Sequence, residues 1–339
     1  MRYLLIVSLS LTLIALTNPA IGDEKPALSL EGHIALPNVH GRIDHLGVDV
    51  GGQRLFVAAV ENGTLEVIDV KAGRHVRTVG DLAEPQGVLY DSAKGRLFVA
   101  CADGTTKVFD GASFELLATV KFPDDADNVR YDARRQALII GYGGAKQLRK
   151  RTEGTGGLGF VDVEGNRAGD VVIDAHPESF RIEESSDRIF VNVPEKKEIE
   201  VVEAATRVVL DRWAIKSAEG NFPMALDEAH HRLFVGTWTP SRMLVLDTQS
   251  GRQVASHDIA GRSDDMFYDA RRGRIYVLAS GGFLEVFQQK DPDHYELIGH
   301  YPTPLNTQTG LFVPEWGKLF AAVRRKGDQD AEVRVYGAN

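Results

Sequence analysis

The sequence predicts an all-β protein built from seven copies of one four-stranded unit. Three observations predict it: a short motif of the type Arg-Leu-Phe-Val recurs at a nearly constant interval, an acidic residue precedes almost every copy, and turn-forming dipeptides separate alternating runs. Of the 339 residues, 43% are hydrophobic and 26% are charged, a balance typical of a folded chain.

The repeated motif establishes the period. Its copies start at Arg54, Arg96, Ala137, Arg188, Arg232, Arg274 and Lys318, at intervals of 42, 41, 51, 44, 42 and 44 residues. Five residues before each start stands an Asp or a Glu, except in the last copy, where Val313 takes that place. An acidic side chain there can accept hydrogen bonds from the backbone of the tight turn that follows. A fixed period of this kind is the sequence signature of repeat architectures.

Each unit contains four short strands in a fixed order. One run precedes the acid, the motif is the second strand, residues 65–69 exemplify the third, and residues 116–122 exemplify the fourth. Dipeptides such as Asn62-Gly63 lie between the second and third strands and favour two-residue hairpins, because both central residues need a positive φ. Four antiparallel strands per unit, without a helical period, are typical of a β-propeller blade. The sequence therefore predicts a seven-bladed β-propeller.

The two ends of the chain complete one blade together. The seventh unit stops after its third strand, residues 332–336, while residues 28–37 form a spare strand that resembles the last strand of the sixth unit. We expect the N-terminal strand to close the last blade, since this hides an exposed sheet edge.

The first 22 residues have the layout of a secretory signal peptide. Arg2 precedes an uncharged run over residues 4–17, and small residues lead up to Gly22. The run is shorter than the ~20 residues of a membrane-spanning helix. We therefore expect residues 1–22 to be a cleaved leader and residues 23–339 to be a single propeller domain, without a membrane span, in the periplasm or secreted.

The repeats resemble the YVTN-type seven-bladed propellers, the YncE-like family of exported bacterial proteins, over residues 27–339. The resemblance implies the propeller fold and export. It says little about function, because relatives include binding proteins and many members without a known activity, and a fold carries no chemistry by itself.

Composition excludes several classes of site and partner. Cys101 is the only cysteine, which rules out a disulfide framework, a cysteine-rich zinc site, an iron–sulfur cluster and a c-type haem. A redox propeller carrying haem or a quinone is therefore the weakest of three functional classes. The formal net charge of −9 argues against nucleic acid as a partner, because phosphate binding needs clustered Lys and Arg. A small molecule or a protein is the expected partner.

Aligning the units on their acids predicts where a site lies. The residues five and four positions before each acid should converge at one mouth of the central channel. The predicted ligand-binding residues at this mouth are Asp44, His45, Gln86, Asp127, Asn128, His176, Glu178, Asn221, Asp264 and Asp265. Converging carboxylates favour a bound cation or raised pKa values. The competing interpretation is that Asp and Asn cap their own turns in a hydrated channel.

Two functional classes remain open for this mouth. The first, which the sequence favours, is an exported binding module for a small ligand or a protein, without enzymatic activity. The second is a metal-dependent hydrolase or lyase of lactonase type, with His45 as a candidate base. The predicted metal ligands are Asp44, Asp127, Glu178 and Asp264, which suit Ca²⁺ or Mg²⁺, whereas nearby His45 and His176 favour a transition metal.

The third unit carries a longer loop, residues 143–157. It contains Lys146, Arg149, Lys150 and Arg151 between glycines. We expect it on the same face as the mouth, where its charge either attracts an anionic partner or is simply solvated.

Overall fold

The structure is a computed structural model that describes residues 25–144 and 156–339. The predicted leader, residues 1–22, and the four basic residues of the predicted loop lie outside the described residues. Within the described ranges, the helical content is one 3₁₀ turn, Pro194–Lys196. None of the helices in this part of the chain is long and apolar enough to span a membrane.

Short strands make up almost all the regular structure. In chain order they begin with β1 (Leu28–Leu36), β2 (Ile43–Asp49), β3 (Arg54–Ala59), β4 (Thr64–Asp69), β5 (Arg74–Val79), β6 (Pro85–Asp91), β7 (Arg96–Cys101), β8 (Thr105–Asp110), β9 (Leu116–Lys121), β10 (Ala126–Asp132), β11 (Ala137–Gly143), β12 (Gly156–Asp162), β13 (Arg167–Ile173) and β14 (Phe180–Glu183). They continue as β15 (Arg188–Val193), β16 (Glu198–Glu203), β17 (Val208–Ala214), β18 (Glu219–Asp227), β19 (Arg232–Thr239), β20 (Ser241–Asp247), β21 (Gln253–Asp258), β22 (Met266–Asp269), β23 (Arg274–Ala279), β24 (Phe283–Asp291), β25 (His294–Pro302), β26 (Gly310–Val313), β27 (Lys318–Val323) and β28 (Ala331–Ala338).

These strands form seven four-stranded antiparallel sheets arranged as blades in a ring. The first six blades each use four consecutive strands, starting at β2, β6, β10, β14, β18 and β22. The seventh combines β26, β27 and β28 with β1, which pairs antiparallel to β28 from Leu28 opposite Ala338 to Leu36 opposite Ala331. The predicted fold, the blade count and the closure by the N-terminal strand are all confirmed.

The recurring acid and arginine stabilise the turn between the first two strands of a blade. In the first blade, the backbone N–H of Gly52 donates to Asp49 Oδ1 at 2.9 Å, and Arg54 donates to Asp49 Oδ2 at 2.7 Å. In the fourth blade, Arg188 donates to Glu183 in the same way at 2.5 Å. The acid therefore binds both the turn and the start of the next strand, which explains why the two residue types recur five positions apart.

The core lies between neighbouring blades. The aromatic residue of the motif is fully buried in most copies, and Phe56 of the first blade packs with Leu97 and Val99 of the second. Burial of one such side chain contributes roughly 1.5–3 kcal/mol. The blades are thus joined by apolar faces, and the ring is a firm frame for its channel.

The first strands of the blades surround the ring axis. Neighbouring first strands contact each other directly, as β2 does with β6 and with β26, and β6 with β10. We call the channel end at which these strands begin, near Asp44 and Asp127, the upper end. The end at which they finish, near the turn acids Asp49 and Asp132, is the lower end.

Candidate functional site

Asp127 is the centre of the predicted site at the upper end. Its Oδ1 lies 3.9 Å from His45 Nε2, and its Oδ2 lies 3.8 Å from His176 Nε2. Only 8% of its surface is exposed, and Oδ1 has no hydrogen-bond partner among the residues that the structure describes. A buried carboxylate oxygen without a partner costs free energy unless something else satisfies it.

His45 is oriented by a carboxylate from the sixth blade. Its Nδ1 donates to Asp265 Oδ1 at 3.1 Å, and Asp265 Oδ2 accepts the backbone N–H of Gly310 at 2.9 Å. The Nε2 side of the ring faces Asp127 and lies 4.0 Å from Asp44 Oδ1. Burial lowers the pKa of His45, but the charges of Asp265, Asp44 and Asp127 outweigh it and raise the pKa to about 10.

His176 is held in the same manner by the backbone of the third blade. Its Nδ1 lies 2.5 Å from the Gly143 carbonyl oxygen, which can only accept, so Nδ1 carries the proton. Its Nε2 lies 3.8 Å from Asp127 and 4.0 Å from Glu178 Oε1. Burial lowers the pKa of His176, while the interactions with Asp127 and Glu178 raise it to about 10. Both imidazoles therefore direct Nε2 towards Asp127.

The surrounding carboxyl groups hold their protons unusually well. Burial raises the pKa of Glu178 to about 8 and the pKa of Asp264 to about 7, and it also raises that of Asp44. Asp127 differs: burial alone would raise its pKa, but its contact with His176 and the charge of His45 lower it. At neutral pH the site therefore combines an ionised Asp127 with partly protonated neighbours, and a bound cation would displace protons.

The three predicted amides divide into two groups. Gln86 accepts from Arg42 at 3.3 Å, and Asn128 Nδ2 lies 3.4 Å from His45 Nε2, so both belong to the network around Asp127. Asn221 instead donates to Asn192 Oδ1 and to the Glu198 carbonyl. Its place in the structure is a polar contact between blades.

Three charged residues near the site were not among the predicted site residues. Arg42 Nη1 lies 3.4 Å from Asp44 Oδ2, Asp125 accepts from Gln86 at 2.8 Å, and Arg130 donates to Asn128 Oδ1 at 2.8 Å. Arg130 could have been found, because it is two residues after Asn128 on one strand and alternation puts both on the channel side. Burial raises the pKa of Asp125 to about 7. The sequence does not show that this residue is buried.

One part of this network has the dimensions of a metal site. Ligand atoms of Asp127, His176 and Glu178 lie within 4.8 Å of one another. This trio contains two members of the predicted metal set and adds His176, while Asp44 and Asp264 lie outside it. Metal–ligand bonds of about 2.0–2.2 Å place neighbouring ligands roughly 3–3.5 Å apart, so the three ligand atoms would have to move closer together by up to about 2 Å.

A second acidic group offers a natural comparison. Asp174, Glu198 and Glu200 also place oxygen atoms within 4.8 Å of one another. Asp174 already pairs with Arg212 at 2.9 Å, and Glu200 accepts the backbone N–H of Asp174 at 2.9 Å. Glu200 Oε2 is buried without a hydrogen-bond partner among the described residues, so this group differs from the first in its exposed ion pair and in lacking a histidine.

Comparison with known proteins supports the fold and leaves the site unassigned. No family model matches the chain, and no curated protein matches it in sequence. Among solved structures, a chain from "Crystal Structure of Mitotic Checkpoint Complex" superposes with a TM-score of 0.75 at 11% sequence identity, covering 97% of this chain and 98% of that one. At this identity the likeness establishes a shared propeller architecture and nothing of the chemistry.

Proposed function

We propose that this propeller is a binding module whose upper channel end takes a small cationic ligand, and that a divalent metal ion is the ligand it fits best. The observation that carries the proposal is the position of Asp127: it is buried between two imidazoles, and its Oδ1 has no hydrogen-bond partner among the described residues. The positive charges nearest to Asp127 are those of the two protonated histidines. A bound metal ion would take the place of the proton on the coordinating nitrogen and would supply the positive charge instead.

The donor set favours a transition metal such as Zn²⁺. His176 would supply a nitrogen, and Asp127 and Glu178 would each supply an oxygen, a combination that suits zinc better than the all-oxygen set preferred by Ca²⁺. The contact between His176 Nδ1 and the Gly143 carbonyl is the kind of supporting hydrogen bond that orients a metal-bound histidine.

A metal-dependent hydrolase or lyase is the second candidate function. Three protein ligands leave a coordination position for water, as in catalytic zinc sites. His45 is the candidate base, and its Nε2 lies 3.9 Å from Oδ1 of the proposed ligand Asp127. Its pKa of about 10 keeps it protonated near neutral pH, so it could accept a proton only once a bound cation lowered that pKa. Metal-dependent lactone hydrolysis would favour this function over simple binding.

Membership of the YncE-like family and export to the periplasm form part of the same proposal. The repeated Arg-Leu-Phe-Val motifs and the leader-like residues 1–22 support them. Mass spectrometry of the native protein tests export: loss of residues 1–22 is expected, and an intact leader would contradict it.

Calorimetric titration with Zn²⁺ tests the binding function. The double change Asp127→Asn with Asp264→Asn should leave the fold intact and weaken Zn²⁺ binding at least tenfold, about 1.4 kcal/mol. The matched control is Asp174→Asn, which removes a carboxylate from the second acidic group. It should leave Zn²⁺ affinity unchanged and cost at most about 0.5 kcal/mol of stability, because its ion pair with Arg212 is exposed. Absence of binding in the wild type, or equal binding by the double variant, would overturn the proposal.

A further inference from the structure

We infer that the lower half of the channel contains a second site, centred on Arg181 with Arg130 at the equivalent position of the adjacent blade, that binds a small monocarboxylate with an apolar body. This inference is independent of the cation site proposed above, because it rests on Arg181 and on a cavity that none of the proposed metal ligands lines.

The two arginines occupy equivalent positions in adjacent blades. Arg130 is two residues before the turn acid Asp132 on β10, and Arg181 is two residues before Glu183 on β14. The other five residues at the same level are uncharged: Gly47, Leu89, Ala225, Phe267 and Leu311. Leu89, Phe267 and Leu311 pack against the apolar cores between blades. Arg130 and Arg181 are therefore the two charged side chains at a level that is otherwise apolar.

Neither guanidinium is paired with a carboxylate of the described residues. Arg130 donates to the Val129 carbonyl at 2.9 Å and to Asn128, and Arg181 donates to the Phe180 carbonyl at 3.1 Å. Among residues 25–144 and 156–339, neither forms an ion pair within 4.0 Å. Burial and the charge of Arg130 lower the pKa of Arg181 to about 9. An anion between them would relieve this repulsion and use donors that now have no acceptor.

An open cavity leads to Arg181 from the lower end. Its volume is about 390 Å³, and its walls include Ala225, Phe267, Tyr268 and Phe312 beside Arg181. A carboxylate at the arginine would leave its hydrocarbon part against these apolar and aromatic side chains. The cavity is large enough for a single aromatic or short aliphatic acid.

Two glutamates at the same cavity limit the charge of the ligand. Glu184 and Glu228 line its outer part, and Glu228 accepts the backbone N–H groups of Glu184 and Ser185. Their charges oppose the passage of dianions and polyanions more strongly than that of a monoanion. The site should therefore prefer a carboxylate to a phosphate.

Benzoate is the probe for this site, titrated into the full chain by calorimetry, with benzamide as the neutral analogue and inorganic phosphate as the dianion. We expect benzoate to bind, benzamide to bind at least tenfold more weakly, and phosphate to bind more weakly than benzoate. Arg181→Met should weaken benzoate binding at least tenfold, and Arg130→Met should weaken it several-fold. The matched control is Arg271→Met, an exposed arginine near the lower end, which should bind benzoate normally.

Thermal unfolding of each variant shows whether the fold is retained. Failure of the wild type to bind benzoate, or equal binding by folded Arg181→Met, would overturn the site, and the arginines would then serve only as counter-charges for the acids above them. Tighter binding of phosphate than of benzoate would overturn the ligand class. Asp127→Asn should leave benzoate binding in place, so failure of the cation site and failure of this one are separately visible.

Discussion

Two neighbouring levels of the channel differ in charge. At the upper level, Asp44, Asp127 and Asp265 surround His45, whereas one step lower Arg130 and Arg181 are the charged residues. The upper level lies at β-bulges in β2, β6, β10 and β18, and the lower level lies in regular antiparallel pairing. Blade packing depends on residues between the sheets, which leaves channel positions free to acquire ligand chemistry.

Opening the ring should disrupt the whole channel, and it should have the largest effect on stability. Removing residues 25–36 deletes β1, which buries Leu28, Ile34 and Leu36 between the last blade and its neighbours. The loss of three buried side chains and a strand pairing should lower the melting temperature by roughly 10 °C or more. Differential scanning calorimetry measures it. A variant lacking only residues 1–24 retains β1 and should melt as the full chain does; equal melting of the two truncated proteins would show that β1 does not close the ring.

The pH dependence of stability should report on the titratable groups at the upper end. The folded upper end holds extra protons: on Asp264 and Glu178, whose pKa values rise to about 7 and 8, and on His45 and His176, whose pKa values rise to about 10. A raised histidine pKa stabilises the fold fully below about pH 6.5, and this contribution is lost as the pH rises towards 10. The raised carboxyl pKa values act in the same direction between about pH 4 and 8.

The free energy of unfolding should therefore fall as the pH rises from 6.5 to 10, by about 1.4 kcal/mol per pH unit for each extra proton held by the folded state. Urea unfolding at several pH values measures this slope. His45→Gln combined with His176→Gln should flatten the slope between about pH 8 and 10, above the range in which Asp264 and Glu178 contribute. A slope that persists in the double variant would place the titrating groups elsewhere.

The smallest expected effect tests whether the two ends interact. Arg130 lies close enough to Asp127 and Asp265 for their charges to act on it. Removing its positive charge with Arg130→Met should strengthen Zn²⁺ binding at the upper end by roughly threefold, about 0.7 kcal/mol. Calorimetry measures this, with Arg271→Met as the control. Weaker Zn²⁺ binding in folded Arg130→Met would show that the arginine supports the upper site rather than opposing it.

The sequence alone determined the architecture of this protein. The spacing of Arg54, Arg96 and the later motif starts predicted the blades, because every blade must bury the same large apolar position against its neighbour and therefore repeats the same local pattern. Closure by residues 28–37 was also visible, since the last unit lacks one strand. The convergence of Asp44, Asp127 and Asp265 followed from the same alignment.

Only the tertiary structure decided which of those residues act together. Asp127 is on the third blade and His176 is on the segment that joins the third blade to the fourth, and their approach to 3.8 Å depends on how the two blades pack, which no repeat pattern encodes. Asn221, one residue before the aligned positions of its blade, was predicted at the mouth, yet its amide donates to Asn192. The unpaired state of Arg130 and Arg181 is likewise a property of the assembled ring, because an ion pair depends on distances across the channel rather than on positions along the chain.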